Sequence, residues 1–183
     1  DPSVERQSGL LFPTYTSNSN LGIGLTTPYY WAISHDKDMT FSPKFIEKEH
    51  ILYLNEYRQS YENGSLVVDS SYTEGYKNTT AIKTAGSRSH IFADLNLDFN
   101  NYESYQGILD LKIQQTSNDN YFRQYGLDSS LVSSDNTNLK NQFKYTLSKD
   151  DTLFSLDLTA FEDLRKSDSE KYEYMLPNFL FEK

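Results

Sequence analysis

Ile91-Phe92-Ala93-Asp94-Leu95-Asn96-Leu97-Asp98-Phe99 decides how this sequence reads. Its odd positions are Ile, Ala, Leu, Leu and Phe, and from Asp94 onward its even positions are Asp, Asn and Asp. A strand sends successive side chains to opposite faces, whereas a helix repeats every ~3.6 residues. Strict alternation over this length therefore specifies a strand with one apolar and one polar face. The same period returns in Leu109-Asp110-Leu111-Lys112-Ile113-Gln114 and in Phe154-Ser155-Leu156-Asp157-Leu158-Thr159-Ala160. Upstream, Leu21, Ile23, Leu25, Tyr29, Trp31 and Ile33 share one parity, against Gly22, Gly24, Thr26 and Ser34 on the other.

Applied along the chain, the rule gives about ten strands, at roughly 8–16, 21–34, 38–47, 50–61, 65–73, 88–99, 105–116, 138–148, 152–162 and 171–182. Several exceed the ~5–6 residues usual in soluble sheets. Most connections are short, as at His35-Asp36-Lys37, Glu62-Asn63-Gly64 and Lys149-Asp150-Asp151. Two are long, at about 74–87 and 117–137. Short turns at one end and long loops at the other suit an outer-membrane barrel, with the short set periplasmic and the long set outside the cell. The predicted fold is all-β: an antiparallel transmembrane β-barrel segment of about ten strands, an incomplete barrel, forming one domain over residues 1–183. A soluble β-sandwich also needs alternation, and it stays open on periodicity alone; it would shield Leu95, Leu97, Leu109 and Leu111 behind a second sheet.

Composition narrows the classes. The 183 residues include 15 Tyr and 11 Phe but only 5 Pro and 8 Gly, which fits a sheet with one greasy and one wet face. Mean hydropathy is -0.69, and no window approaches the ~18 apolar residues of a membrane helix. A membrane strand needs only ~9–11 residues, every second one facing lipid, so barrels look hydrophilic on average. The net charge of -9 argues against nucleic acid as a partner. The absence of Cys removes disulfides and thiolate chemistry. His35, His50 and His90 lie at turns or strand starts without ligand spacing, so no metal is expected. No G-x-S-x-G, H-E-x-x-H or P-loop pattern is present, and no catalytic residue, enzyme activity or cofactor is expected.

Pro13, Pro28 and Pro43 fall fifteen residues apart, one in each of the first three predicted strands. Proline donates nothing to a ladder, so three in succession weaken this end of the sheet by ~1 kcal/mol for each missing bond, unless they only mark bulges or turns. Gly22 and Gly24 occupy the expected inner face of the second strand, where glycine permits curvature or close approach of bulk. Asp94, Asp98, Asp110, Lys112, Lys140 and Lys144 hold the polar parity of the sixth to eighth strands. In a barrel they point into the lumen, as a hydrated wall of mixed charge or, for the lysines, as point charges for passing phosphates.

Ser8-Gly9-Leu10-Leu11-Phe12-Pro13, Leu21-Gly22-Ile23-Gly24-Leu25, Pro28-Tyr29-Tyr30-Trp31-Ala32-Ile33 and Asp38-Met39-Thr40-Phe41-Ser42-Pro43-Lys44-Phe45 resemble, in order and spacing, the opening of the barrel of the LptD family. Asn55-Glu56-Tyr57-Arg58, Ser117-Asn118-Asp119-Asn120-Tyr121-Phe122 and Pro177 in Glu173-Tyr174-Met175-Leu176-Pro177 resemble later family elements. The likeness runs from Arg6 to Phe181 and is densest before Ile46; His35-Asp36 departs from the Ala-Pro-type turn common in the family. The resemblance implies a barrel component of an LptD-LptE translocon that passes lipopolysaccharide into the outer leaflet of the bacterial outer membrane. The implied partners are lipopolysaccharide, an LptE-like lipoprotein plug, and a periplasmic Lpt bridge reached through a jellyroll domain. That domain and the remaining barrel strands are expected outside this stretch. Pro13 and Pro28 match the family's lateral-gate prolines, and Pro43 is a third candidate. Another outer-membrane barrel, such as a porin or receptor fragment, remains the alternative; a porin needs no proline-weakened first strand.

Overall fold

The computed structural model describes residues 6–75, 86–100, 105–166 and 169–183. Among these, thirteen strands make one antiparallel sheet. The first row is β1 (Gly9–Leu10) and β2 (Thr14–Asn18); the second is β3 (Gly22–Thr26) and β4 (Tyr29–Ala32). Then follow β5 (Lys37–Ile46), β6 (Leu52–Tyr61), β7 (Gly64–Thr73), β8 (Arg88–Asn100), β9 (Gln106–Thr116), β10 (Asn138–Lys149) and β11 (Thr152–Asp163). β12 (Tyr172–Tyr174) and β13 (Asn178–Glu182) form the last row. The rows are ten, as the alternation predicts, and three of them are interrupted beside a proline. Neighbours in sequence pair in space, and the sheet does not close: β1 and β2 lie at one edge, β12 and β13 at the other.

Register aligns the apolar parity across many strands. Leu95 faces Leu111 and Leu97 faces Leu109; Leu111 then faces Phe143, and Phe143 faces Leu158. Trp31, Phe41, Tyr53, Tyr72, Ile91, Phe143 and Leu158 on this side are exposed. No second sheet covers them among the described residues, which removes the sandwich. A contiguous apolar face of this extent is unusual on a water-soluble monomer and normal on a lipid-facing barrel wall. No described helix is long and apolar enough to cross a membrane.

The opposite face carries the polar parity and, over its middle, a small core. Leu52 and Phe92 are fully buried there with Tyr121, beside Phe122, Tyr125, Leu127 and Val132. The last five come from the connection 117–137. The sequence places that connection at the outer rim; in the structure it folds back across the inner face of the sheet. It does so through the short helix α1 (Tyr121–Tyr125), which ends on Gly126 at φ 55°, where Leu127 N–H donates to Phe122 O at 3.0 Å. Five residues cannot hold a helix on propensity alone, so burial of its aromatic side chains must fix it. The other long connection, 74–87, falls mostly outside the described residues.

Two polar clusters pin the connection. Tyr121 hydroxyl bonds Ser71 Oγ at 2.6 Å; Ser71 Oγ lies 2.5 Å from His90 Nδ1, and His90 Nε2 lies 3.0 Å from Asp69 Oδ1. Burial pushes the Tyr121 hydroxyl up to about 12, so it stays a neutral hydrogen-bonding group. At the rim, Lys171 Nζ donates to Asp119 Oδ1 and pairs with Glu162 Oε1, both at 2.6 Å.

Candidate functional site

The first three rows are built on the sequence's prolines, and the register shows what each does. Gly9 faces Tyr30 and Leu10 faces Tyr29; Leu11 N–H then donates to Pro28 O at 2.9 Å. Beyond this point Thr14 faces Thr26. Phe12 and Pro13 therefore stand together opposite Thr27, which is a β-bulge. A hydrogen-bonded antiparallel pair exchanges two bonds, but Pro28 has no N–H to return to Leu11. The second seam repeats the defect: Thr27 N–H donates to Pro43 O at 3.1 Å, and Pro43 returns nothing. Two consecutive seams thus each hold one bond where two belong, next to a bulge in the outermost row.

The edge itself is bare. Leu10 is 80% exposed and Phe12 94% exposed, and all of β2 is exposed. The far edge carries a matching feature. Tyr174 faces Ala160, Met175 N–H donates to Thr159 O at 2.9 Å, and Asn178 faces Asp157. Leu176 and Pro177 therefore bulge opposite Leu158. Leu11-Phe12-Pro13-Thr14-Tyr15 and Met175-Leu176-Pro177-Asn178-Phe179 share the order apolar, apolar, Pro, polar, aromatic. That likeness was available in the sequence, but it takes the register to show that both are bulges.

Gly22 and Gly24 share the face of the sheet that carries Lys44. Gly22 sits at φ 80°, where an L side chain is strained, and an added Cβ would run into the Glu47 carboxylate that accepts from Ile23 N–H at 3.0 Å. Gly24 is a close-approach glycine: a Cβ there would meet Thr16 Oγ1 and stand 3.2 Å from Lys44 Cε.

The six charged residues of the middle strands fall on the same side of the sheet as Phe92. Four of them make a patch of alternating charge. Lys112 Nζ pairs with Asp94 Oδ2 at 3.1 Å, Asn96 Nδ2 donates to Asp110, and Lys144 stands between Asp110 and Asp157 in register. Asp98 lies apart near the Asn63 turn, and Lys140 sits opposite Phe161 at the other end.

Asp69, His90 and Ser71 bring acid, base and hydroxyl types together, which sequence spacing did not show. Their arrangement is a structural staple. Ser71 is buried and its Oγ is engaged by both His90 and Tyr121. Among the described residues no group of three or more potential ligands is placed to hold a metal ion.

Comparison with known proteins agrees with the architecture. No family profile matches the sequence. The LPS-assembly protein LptD of Nitrosospira multiformis is 32% identical over 145 residues, covering 76% of this chain and 14% of the relative. LptD of Nitrosococcus oceani is 29% identical over 135 residues, covering 70% and 16%. LptD of Idiomarina loihiensis is 27% identical over 131 residues, covering 69% and 16%. The chain therefore spans only about one seventh of the length of such relatives. With several LptD proteins matching most of its length, and with its residues folded into one open antiparallel sheet, this chain is an LptD-like sequence corresponding to a partial region of those proteins.

Proposed function

We propose that this chain forms the opening strands of an outer-membrane barrel that inserts lipopolysaccharide into the outer leaflet, and that its first seams are where the wall parts. The observation that carries the reading is the pair of half-bonded seams: Pro28 and Pro43 accept from Leu11 and Thr27 and return no bond. In a bilayer an unpaired backbone group costs several kcal/mol, so wall strands are ordinarily fully zipped. A zipper lacking two donors and carrying a bulge opens at lower cost than a fully bonded one.

The exposed apolar face supports a lipid-facing wall, and the polar inner face with Asp94, Asp110, Lys112 and Lys144 supports a hydrated lumen. In this reading the protein is a passive conduit and makes or breaks no bond. Its partners are lipopolysaccharide, an LptE-like lipoprotein within the lumen, and a periplasmic Lpt bridge that delivers through a jellyroll domain. Asp98 and Lys140 complete the lumen wall, and Gly22 and Gly24 shape its bend.

The test restores the donors. Pro28→Ala with Pro43→Ala returns two N–H groups, one facing Leu11 and one facing Thr27, to positions already in register. At ~1 kcal/mol per bond, each of the two closed seams should gain roughly fivefold in population. Hydrogen exchange across residues 9–15 is expected to slow accordingly, and pulse-labelled lipopolysaccharide is expected to reach the cell surface more slowly. Slower exchange with unchanged delivery would contradict the gate.

A further inference from the structure

Just behind the second row lies a cavity of about 140 Å³, lined by Thr16, Ser17 and Asn18 of β2, Gly24 of β3, Lys44 of β5 and Tyr125 of α1. Lys44 is only 8% exposed. Its ammonium has three donors to place, and the single bond that orients it is a long one, to Tyr125 O at 3.5 Å. Among the described residues no carboxylate lies within ion-pair distance of it, and Asp128 acts on it only from a distance. Lys171, by contrast, is buried between two carboxylates at 2.6 Å. A charge taken out of water is costly unless something pairs it.

The surroundings are shaped for the missing partner. Gly24 leaves the space the lysine stem passes through, since a Cβ there would stand 3.2 Å from Lys44 Cε. Thr16 and Asn18 bring neutral hydrogen-bonding side chains from the edge row. Glu47, just past β5, accepts from Ile23 N–H at 3.0 Å and makes no ion pair with Lys44. The volume equals that of about four or five waters, which suits one small hydrated anion and not a sugar ring.

We infer that Lys44 and the Thr16–Asn18 segment form a binding site for a phosphoryl group, placed immediately inside the proline-bearing seam. The inference rests on the seam reading and names what the seam selects: an anionic phosphoryl group, whether carried by a lipid headgroup or free as phosphate. An ammonium serves such a group as a point charge with charge-assisted hydrogen bonds.

Native mass spectrometry of the full-length protein in detergent tests it. The probes are bisphosphoryl lipid A, its dephosphorylated counterpart, and bisphosphoryl lipid A with millimolar inorganic phosphate. Wild type is expected to prefer the phosphorylated lipid. Lys44→Gln should lose about tenfold on that lipid alone, the weight of one charge-assisted bond, while Lys44→Arg keeps the preference and controls for folding. Competition by inorganic phosphate assigns the site to free phosphate; discrimination without competition assigns it to the headgroup. If Lys44→Gln binds both lipids as wild type does, the site is overturned and the seam stands. If wild type binds neither lipid, the seam reading falls and the inference with it.

Discussion

Phe92→Ala should release the connection 117–137 from the inner face of the sheet. The Phe92 side chain is fully buried, with its ring 4.5 Å from the His90 ring and 5.2 Å from that of Phe122. Truncating a packed aromatic costs ~3–5 kcal/mol through lost contacts and the cavity left behind. Here the loss falls on one joint, because Phe92 packs directly on Phe122, one of the three aromatic residues, with Tyr121 and Tyr125, that α1 contributes to the core. A loss of that size raises the undocked fraction by more than about a hundredfold. Limited proteolysis of the folded, inserted protein is the direct check. Cleavage within 117–137 should become fast in Phe92→Ala while the flanking strands stay protected. Wild-type resistance in the variant would mean that the connection is held by something other than this core.

Lys171→Met is expected to loosen the same connection from its other end. The Lys171 side chain is 12% exposed and joins Asp119, just before α1, to the buried Glu162 of β11. Burial opposes its charge, but the hydrogen bonds it donates to Asp119 and Glu162 outweigh that and raise the ammonium above its ordinary value. Removing it leaves Glu162 buried without its cation. The cost is about 3 kcal/mol, the low end for breaking a buried pair, because Asp119 is partly exposed. The pH dependence has a definite sign. A group whose value is raised on folding gives its full stabilisation below its unfolded value, and loses it only as pH rises through the raised one. Wild-type protease resistance of 117–137 should therefore hold from neutral pH to the ordinary lysine range near 10.5 and decline above it. Lys171→Met should be cleaved faster throughout and show a smaller alkaline step, the remainder belonging to the buried Tyr121 hydroxyl. An unchanged alkaline step in the variant would show that another group carries it.

The fold was largely written in the alternation. Residues 91–99 and 109–114 fix their faces unambiguously, because a slip of one residue would turn Leu95, Leu97, Leu109 and Leu111 to the wrong side. The prolines were legible as weak points. Which bonds they remove was not, because that depends on Leu11 meeting Pro28 and Thr27 meeting Pro43 across separate rows. The docked connection was invisible for a different reason. Tyr121, Phe122 and Tyr125 span barely one helical turn, too short for a periodic signal, and their burial depends on Leu52 and Phe92 from distant strands. Lys44 carries no distinguishing signal in the sequence either: beside Pro43 it reads as one more polar-parity lysine. Only the space at Gly24 and the arrival of the Tyr125 carbonyl make it a buried cation. The Asp69, Ser71 and His90 staple is equally a product of register, since Ser71 faces His90 across the β7–β8 pair.

The decisive measurement is site-specific photo-crosslinking in cells, with the probe at Leu11, Pro13 or Tyr15 of the full-length protein. Lipopolysaccharide adducts at these positions, lost when the inner-membrane exporter is depleted, are the expected result and place the lipid's path at the half-bonded seam. A folded, inserted protein that gives no lipopolysaccharide adduct at any of the three would contradict it.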